Sequence, residues 1–162
     1  MEQTKYVGVI GAAECDDEVV KLAEDVGKVV GRSGAVLVCG GRSGVMEAAA
    51  KGARDAGGIA IGILPGDDPR SGNSYINFGI ATGMGDARNV IIARTCDVLV
   101  AVTGSYGTLS EIGLAMKMGK PVIGLRTWKC IDFCGEPAAL HAAEDVPTVE
   151  KTLHRLLSAK NE

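Results

Sequence analysis

Two kinds of apolar pattern alternate along this chain. Short runs that are apolar at nearly every position are separated by longer segments in which apolar residues recur every three or four places. Tyr6 to Ile10 is the first run and reads as a strand. Asp16 then caps a predicted helix with Val19, Leu22, Ala23, Val26, Val29 and Val30 on one face, stopped by Gly34. Ala35 to Cys39 is the second strand. The turn Gly40-Gly41-Arg42-Ser43-Gly44 follows it, then an alanine-rich helix from about Val45 to Ala56 that ends at Gly57-Gly58. Ile59 to Leu64 is a third strand broken by Pro65, and a polar loop runs from Gly66 to Ser74. Tyr75 to Ala81 is a weaker strand, and Gly83-Met84-Gly85-Asp86 opens a helix to about Thr95. A strand from Asp97 to Val102, a glycine turn, a helix to Met118 and a strand from Pro121 to Leu125 complete the regular part. Trp128 to Ala143 has no clear period, and Thr148 to Ala159 reads as a closing helix.

Strands apolar on both faces and separated by helices predict a parallel sheet covered on two sides. Right-handed crossovers make that a doubly wound, Rossmann-like α/β domain, one domain over residues 1–162. Such folds bind ligands beyond the carboxyl ends of the strands, near the reversal in strand order. The glycine turns that follow the strands fall on that edge.

Composition narrows the function. The chain has 162 residues, 46% hydrophobic and 23% charged, which describes an ordinary globular protein. A net charge of −3 offers no field for nucleic acid or an anionic membrane, so neither is expected as a partner, and an anionic ligand must be held locally. The five cysteines fall at irregular spacing and read as reduced thiols of a cytoplasmic protein. Cys130 and Cys134 with His141 lack a fourth zinc ligand, so no metal site is expected. The acids Glu14, Asp16, Asp17 and Glu18 that follow the first apolar run argue against a signal peptide.

Neither the dinucleotide fingerprint nor a P-loop is present. The Gly40–Gly44 turn and the stretch Thr103-Gly104-Ser105-Tyr106-Gly107-Thr108 each join a strand to a helix start, where free amides and the helix dipole attract phosphate. If Asp86 is an N-cap, Arg88 stands in a first helical turn, against the dipole's preference by roughly 0.3–1 kcal/mol. A bound phosphate or a partner carboxylate would explain it. Thr108-Leu109-Ser110-Glu111 has the form of a capping box. Glu111 is therefore either a cap or a carboxylate available for chemistry.

Three ordered motifs resemble a family. Gly40-Gly41-x-x-Gly44-x-Met46, the Arg88 turn and Gly104-x-x-Gly107-Thr108-x-x-Glu111 are similar to those of the Rossmann-like LONELY GUY cytokinin-activating phosphoribohydrolases. The nearest branch is the one containing the molybdenum-cofactor carrier proteins, and the "lysine decarboxylase" label given to many members has no support in these residues. The phosphoribohydrolase motifs read M-H-x-R-K and P-G-G-x-G-T-x-x-E. This chain keeps the arginine and the final glutamate but departs at Gly85, Asp86, Asn89, Thr103 and Ser105. The resemblance implies a pocket for a phosphate-bearing heterocycle. Gly11, Gly40, Gly41, Arg42, Ser43, Gly44, Met84 and Arg88 would contribute from one side, and Thr103, Gly104, Ser105, Tyr106, Gly107 and Thr108 from the other. The ligand is expected to be a nucleoside monophosphate, phosphate or molybdenum cofactor, with no cofactor required. Carrier-like binding is favoured. The alternatives are hydrolysis of a nucleoside 5′-monophosphate to free base and ribose 5-phosphate, with Arg88 and Glu111 catalytic, and a scaffold with a vestigial pocket. Apolar residues around the helices after Asp86 and Thr108 exceed what one sheet face can cover, and a homodimer or higher homo-oligomer is expected.

Overall fold

The computed structural model describes residues 3–159; positions 1, 2 and 160–162 of the expected domain lie outside the described residues. Seven strands form one sheet: β1 (Tyr6–Gly11), β2 (Val36–Cys39), β3 (Ala60–Leu64), β4 (Phe78–Ala81), β5 (Val98–Val102), β6 (Val122–Leu125) and β7 (His141–Ala143). They lie in the order β4-β3-β2-β1-β5-β6-β7, and every neighbouring pair is parallel. Five α-helices connect or follow them: α1 (Asp17–Arg32), α2 (Val45–Asp55), α3 (Asn89–Thr95), α4 (Tyr106–Lys117) and α5 (Val146–Ser158). The expected α/β Rossmann-like architecture is the observed one.

Alternation along the strands builds a core on each side of the sheet. Val7, Val9, Leu37, Val98, Val100 and Val102 face α1, α2 and α5. Ile10, Val38, Leu99 and Ala101 face the opposite way, against Ile92 and Ala93 of α3 and Ile112 and Ala115 of α4. All of these side chains are buried, which is why both faces of the central strands read as apolar. Asp16 caps α1 as expected, accepting from the Val19 amide at 2.9 Å. Asp145 does the same for α5, which therefore begins at Val146, two residues ahead of the sequence reading.

Other elements differ from expectation more widely. β4 begins at Phe78, not Tyr75, because Asn73 and Asn77 turn the chain with side-chain bonds to the Tyr75 and Ala60 amides. As an edge strand it leaves Phe78 and Ile80 exposed, so its pattern is weak. The unassigned stretch contains β7, only three residues long, and ahead of it a small hairpin. There Ile131 bridges Pro137, and Asp132 Oδ1 accepts from the Cys134 and Glu136 amides. The helix expected from Asp86 to Thr95 is split, with a 3-10 turn at Gly85–Arg88 leading into α3. Among the described residues no helix is long and apolar enough to cross a membrane.

The strand order reverses between β1 and β5. The chain winds outward from β1 to β4, then returns to place β5 on the other side of β1. At that point Gly11 pairs with Val102, so both strands end at one level and their following loops diverge. The divergence leaves a crevice.

Candidate functional site

A cleft of about 120 Å³ opens at this reversal, lined by Gly11, Ala13, Arg42, Met46, Asp86, Arg88, Asn89, Ser105, Gly107, Thr108 and Glu111. Of the residues singled out in the sequence, Gly11, Arg42, Arg88, Ser105, Gly107, Thr108 and Glu111 meet here. Gly41 and Ser43 instead border a neighbouring depression with Arg42, Ser71, Gly72 and Asn73. One amide of that first glycine turn and the first amide of α2 are engaged: Gly41 N–H points to Cys39 Sγ, and Val45 N–H donates to the Ala12 carbonyl. Met84 is exposed outside the lining, and Thr103, Gly104 and Tyr106 flank it. Ala13, Met46, Asp86 and Asn89 line the cleft but were not proposed as ligand contacts. Asn89 is recoverable from its place beside Arg88, whereas nothing in the sequence marks Ala13.

Arg88 is the centre of the arrangement. Asp86 is not an N-cap; it belongs to the 3-10 turn, and Arg88 itself occupies the N-cap position of α3. The side chain turns inward and is only 6% exposed, which excludes a solvated arginine. Its guanidinium donates to Asn89 Oδ1 at 2.9 Å and lies 3.8 Å from Glu111 Oε1, an ionic contact beyond hydrogen-bond length. Its Nε is buried without a partner. Burial draws its pKa down, opposed by the nearby Glu111 charge. Gly40 makes the position available: a Cβ there would stand 2.6 Å from both terminal guanidinium nitrogens. The first motif glycine therefore serves the arginine of the second motif.

The capping-box reading of Glu111 is overturned. α4 begins two residues before Thr108, at Tyr106, with Ser105 as an extended N-cap that makes no side-chain bond. Thr108 is thus inside the first turn, buried at 2% exposure, and Glu111 lies about a turn further on, where it cannot reach back to the cap. It faces the cleft instead. Burial pushes its carboxyl up to about 7, with Arg88 pulling the other way. Gly104 lets the chain enter the helix this way: its φ is 116°, and a Cβ would sit 2.5 Å from Thr108. Thr103 before it has φ 50°, a costly conformation for a β-branched residue. It is clamped by its own amide to the Leu125 carbonyl at 3.0 Å and by a hydrogen bond from the Thr127 hydroxyl to its carbonyl.

The two sides of the cleft are tied together by side chains. Asn89 Nδ2 donates to Ser110 Oγ at 3.1 Å, and Ser110 Oγ–H donates to the Gly107 carbonyl at 2.7 Å. The site thus presents a buried guanidinium, the more exposed Arg42, a helix start without a side-chain cap, and a carboxyl able to hold or release a proton near neutrality. That set suits an oxyanion next to a group on which positive charge or a proton develops. Cys39, beneath Gly41, is raised by burial to about 11 and stays a thiol at neutral pH.

A profile of the SLOG cluster4 family matches residues 4–153. The chain belongs to that family. A relative from Archaeoglobus fulgidus, described as an uncharacterized protein, is 49% identical over 120 residues, covering 74% of this chain and 79% of that one. The Arabidopsis thaliana cytokinin riboside 5′-monophosphate phosphoribohydrolase LOG5 is 32% identical over 106 residues, 63% of this chain but under half (45%) of the plant enzyme. Among solved structures, the molybdenum cofactor binding protein of Rippkaea orientalis superposes with a TM-score of 0.85 at 31% identity, covering 97% of this chain and 99% of that one. The Moco carrier protein of Chlamydomonas reinhardtii gives 0.84 at 35% identity over 97% and 99%. This SLOG cluster4 protein therefore resembles both groups to which its motifs point, and 97% of it superposes on the two cofactor-binding proteins.

Proposed function

We propose that the cleft between Arg42, Arg88 and the start of α4 binds the phosphate of a heterocyclic ligand, a nucleotide or the molybdenum cofactor, in the manner of a carrier. The observation that supports this best is Arg88. Its buried Nε has no partner and its contact with Glu111 is longer than a hydrogen bond, so an oxyanion entering the cleft would complete the bonding of this desolvated cation. The uncapped start of α4 supplies amides on the other side. Likeness to the two cofactor-binding proteins over nearly their whole length supports the same reading.

A second reading rests on Glu111. A carboxyl raised to about 7 and facing the same cleft is populated in both protonation states at neutral pH. Charged, it can accept a proton from water attacking C1′ of a nucleoside monophosphate or stabilise an oxocarbenium-like centre, while the base departs as the C–N bond breaks. The partial match to the plant phosphoribohydrolase supports this chemistry. The absence of that family's histidine and lysine at Asp86 and Asn89 favours binding over turnover. A panel of nucleoside monophosphates separates the readings: calorimetry reads binding, and chromatography reads free base and ribose 5-phosphate. Binding without release supports the carrier reading, release establishes the hydrolase, and neither leaves a scaffold. We also place the protein in the cytoplasm, a reducing compartment that suits its five free cysteines, and as a homodimer.

A further inference from the structure

The cleft, about 120 Å³ and open to solvent on one side, is smaller than the roughly 300–1,000 Å³ of pockets that bury whole small ligands. It has room for a phosphate group. A heterocycle attached to that phosphate would extend past the lining, and an aromatic pair lies beside the cleft where α4 starts. Tyr106 stands between Ser105 and Gly107, both of which line the cleft, and is 80% exposed. Its ring meets Trp128, with centroids 5.6 Å apart and planes inclined by 40°. Trp128 reaches back from the loop after β6 and donates its indole N–H to the Ser105 carbonyl at 3.1 Å. The indole is thus fixed to the same residue that begins α4, and the two rings hold a set orientation relative to the cleft.

We propose that Tyr106 and Trp128 form a stacking platform for the ligand's flat heterocycle. This rests on the phosphate-cleft reading above and adds to it which side of the cleft the heterocycle occupies and what selects it. Stacking recognises a π-face, not the pattern of hydrogen-bonding groups on a base edge. The platform therefore selects heterocyclic phosphates over bare sugar phosphates and discriminates weakly among heterocycles.

Trp128 is the chain's single tryptophan, so its emission reports on the platform alone. The test titrates the full chain with AMP, ribose 5-phosphate and inorganic phosphate, by calorimetry and by fluorescence excited where AMP is transparent. AMP is expected to bind roughly 5- to 150-fold more tightly than ribose 5-phosphate and to quench the emission, which ribose 5-phosphate leaves unchanged. Trp128→Leu should erase most of that ratio, and Trp128→Phe should restore much of it. Tyr106→Leu, at an exposed position, gives a second measure should Trp128→Leu fail to fold. Two results overturn the platform while leaving the phosphate reading intact: equal affinities for AMP and ribose 5-phosphate in the unaltered protein, or variants that weaken both ligands equally, as a merely structural pair would. Failure of all three ligands to bind the unaltered protein overturns the phosphate reading, and the platform with it.

Discussion

Replacing Glu111 by glutamine should stabilise the empty protein in a pH-dependent way. Folding carries the carboxyl from an ordinary value of 4.5 into a buried site where it titrates near 7. Below 4.5 the group is protonated in both states, and its burial carries no ionic penalty. As pH rises through the window from 4.5 to about 7, the unfolded chain ionises first and gains the advantage, so stability falls. Above 7 the full penalty applies, about 3 kcal/mol at roughly 1.4 kcal/mol per pH unit. Glutamine has the shape of the protonated acid and never ionises. Glu111→Gln should therefore match the unaltered protein near pH 4.5 and exceed it by up to about 3 kcal/mol at pH 8. Urea titrations followed by Trp128 emission would measure the gap at fixed protein concentration, in buffers free of phosphate so that no ligand adds its own stabilisation. A gap that stays constant from pH 4.5 to 8.5, or a variant less stable at pH 8, would refute the buried, proton-holding carboxyl. If the site turns over a nucleotide, the same variant should lose that turnover while gaining stability.

Arg88→Ala should weaken phosphate-ligand binding by roughly 10- to 150-fold, the worth of a charge-assisted hydrogen bond, as read by calorimetry. Stability of the empty protein should move by less than about 1.5 kcal/mol, because the lost bond to Asn89 is offset by release of a desolvated cation from a helix N-cap. Gly40→Ala places a methyl 2.6 Å from the guanidinium and should displace it, lowering ligand affinity at a cost of about 1–3 kcal/mol in chemical denaturation. Val90 and Ile91 on α3, Leu114 and Met116 on α4 and Met118 just after it are only half-buried, and a homodimer through these helices should appear in light scattering at micromolar concentration. A monomer there would remove that surface from the account.

The fold was legible because its signals are dense and redundant. Residues such as Leu99 and Val100 are both buried, one on each face of the sheet, and only a doubly covered parallel strand reads that way. Edge elements were harder, since β4 and β7 are short and contact the sheet on one side only. At the site, local rules marked several residues that meet in one cleft but misassigned their local roles. Thr108 to Glu111 has the spacing of a capping box, yet Gly104 at φ 116° allows the helix to begin at Tyr106, which turns Glu111 into the cleft. The cap assigned to Asp86 failed because a 3-10 turn takes up Gly85–Arg88. The pairing of Arg88 with Glu111 depends on where two distant turns meet, and the space Gly40 leaves for the guanidinium does too. No local period encodes either.

Arg88 and the start of α4 are proposed to hold a phosphate together. A crystal structure of the protein grown with saturating AMP or inorganic phosphate tests it most directly. The phosphate should lie within hydrogen-bond distance of the Arg88 guanidinium and of amides among Tyr106 to Thr108, with Arg88 Nε or a terminal nitrogen donating to it. Only water in that cleft at saturating ligand, with Arg88 still turned to Asn89 and Glu111, would contradict the claim and make the buried pair a structural contact.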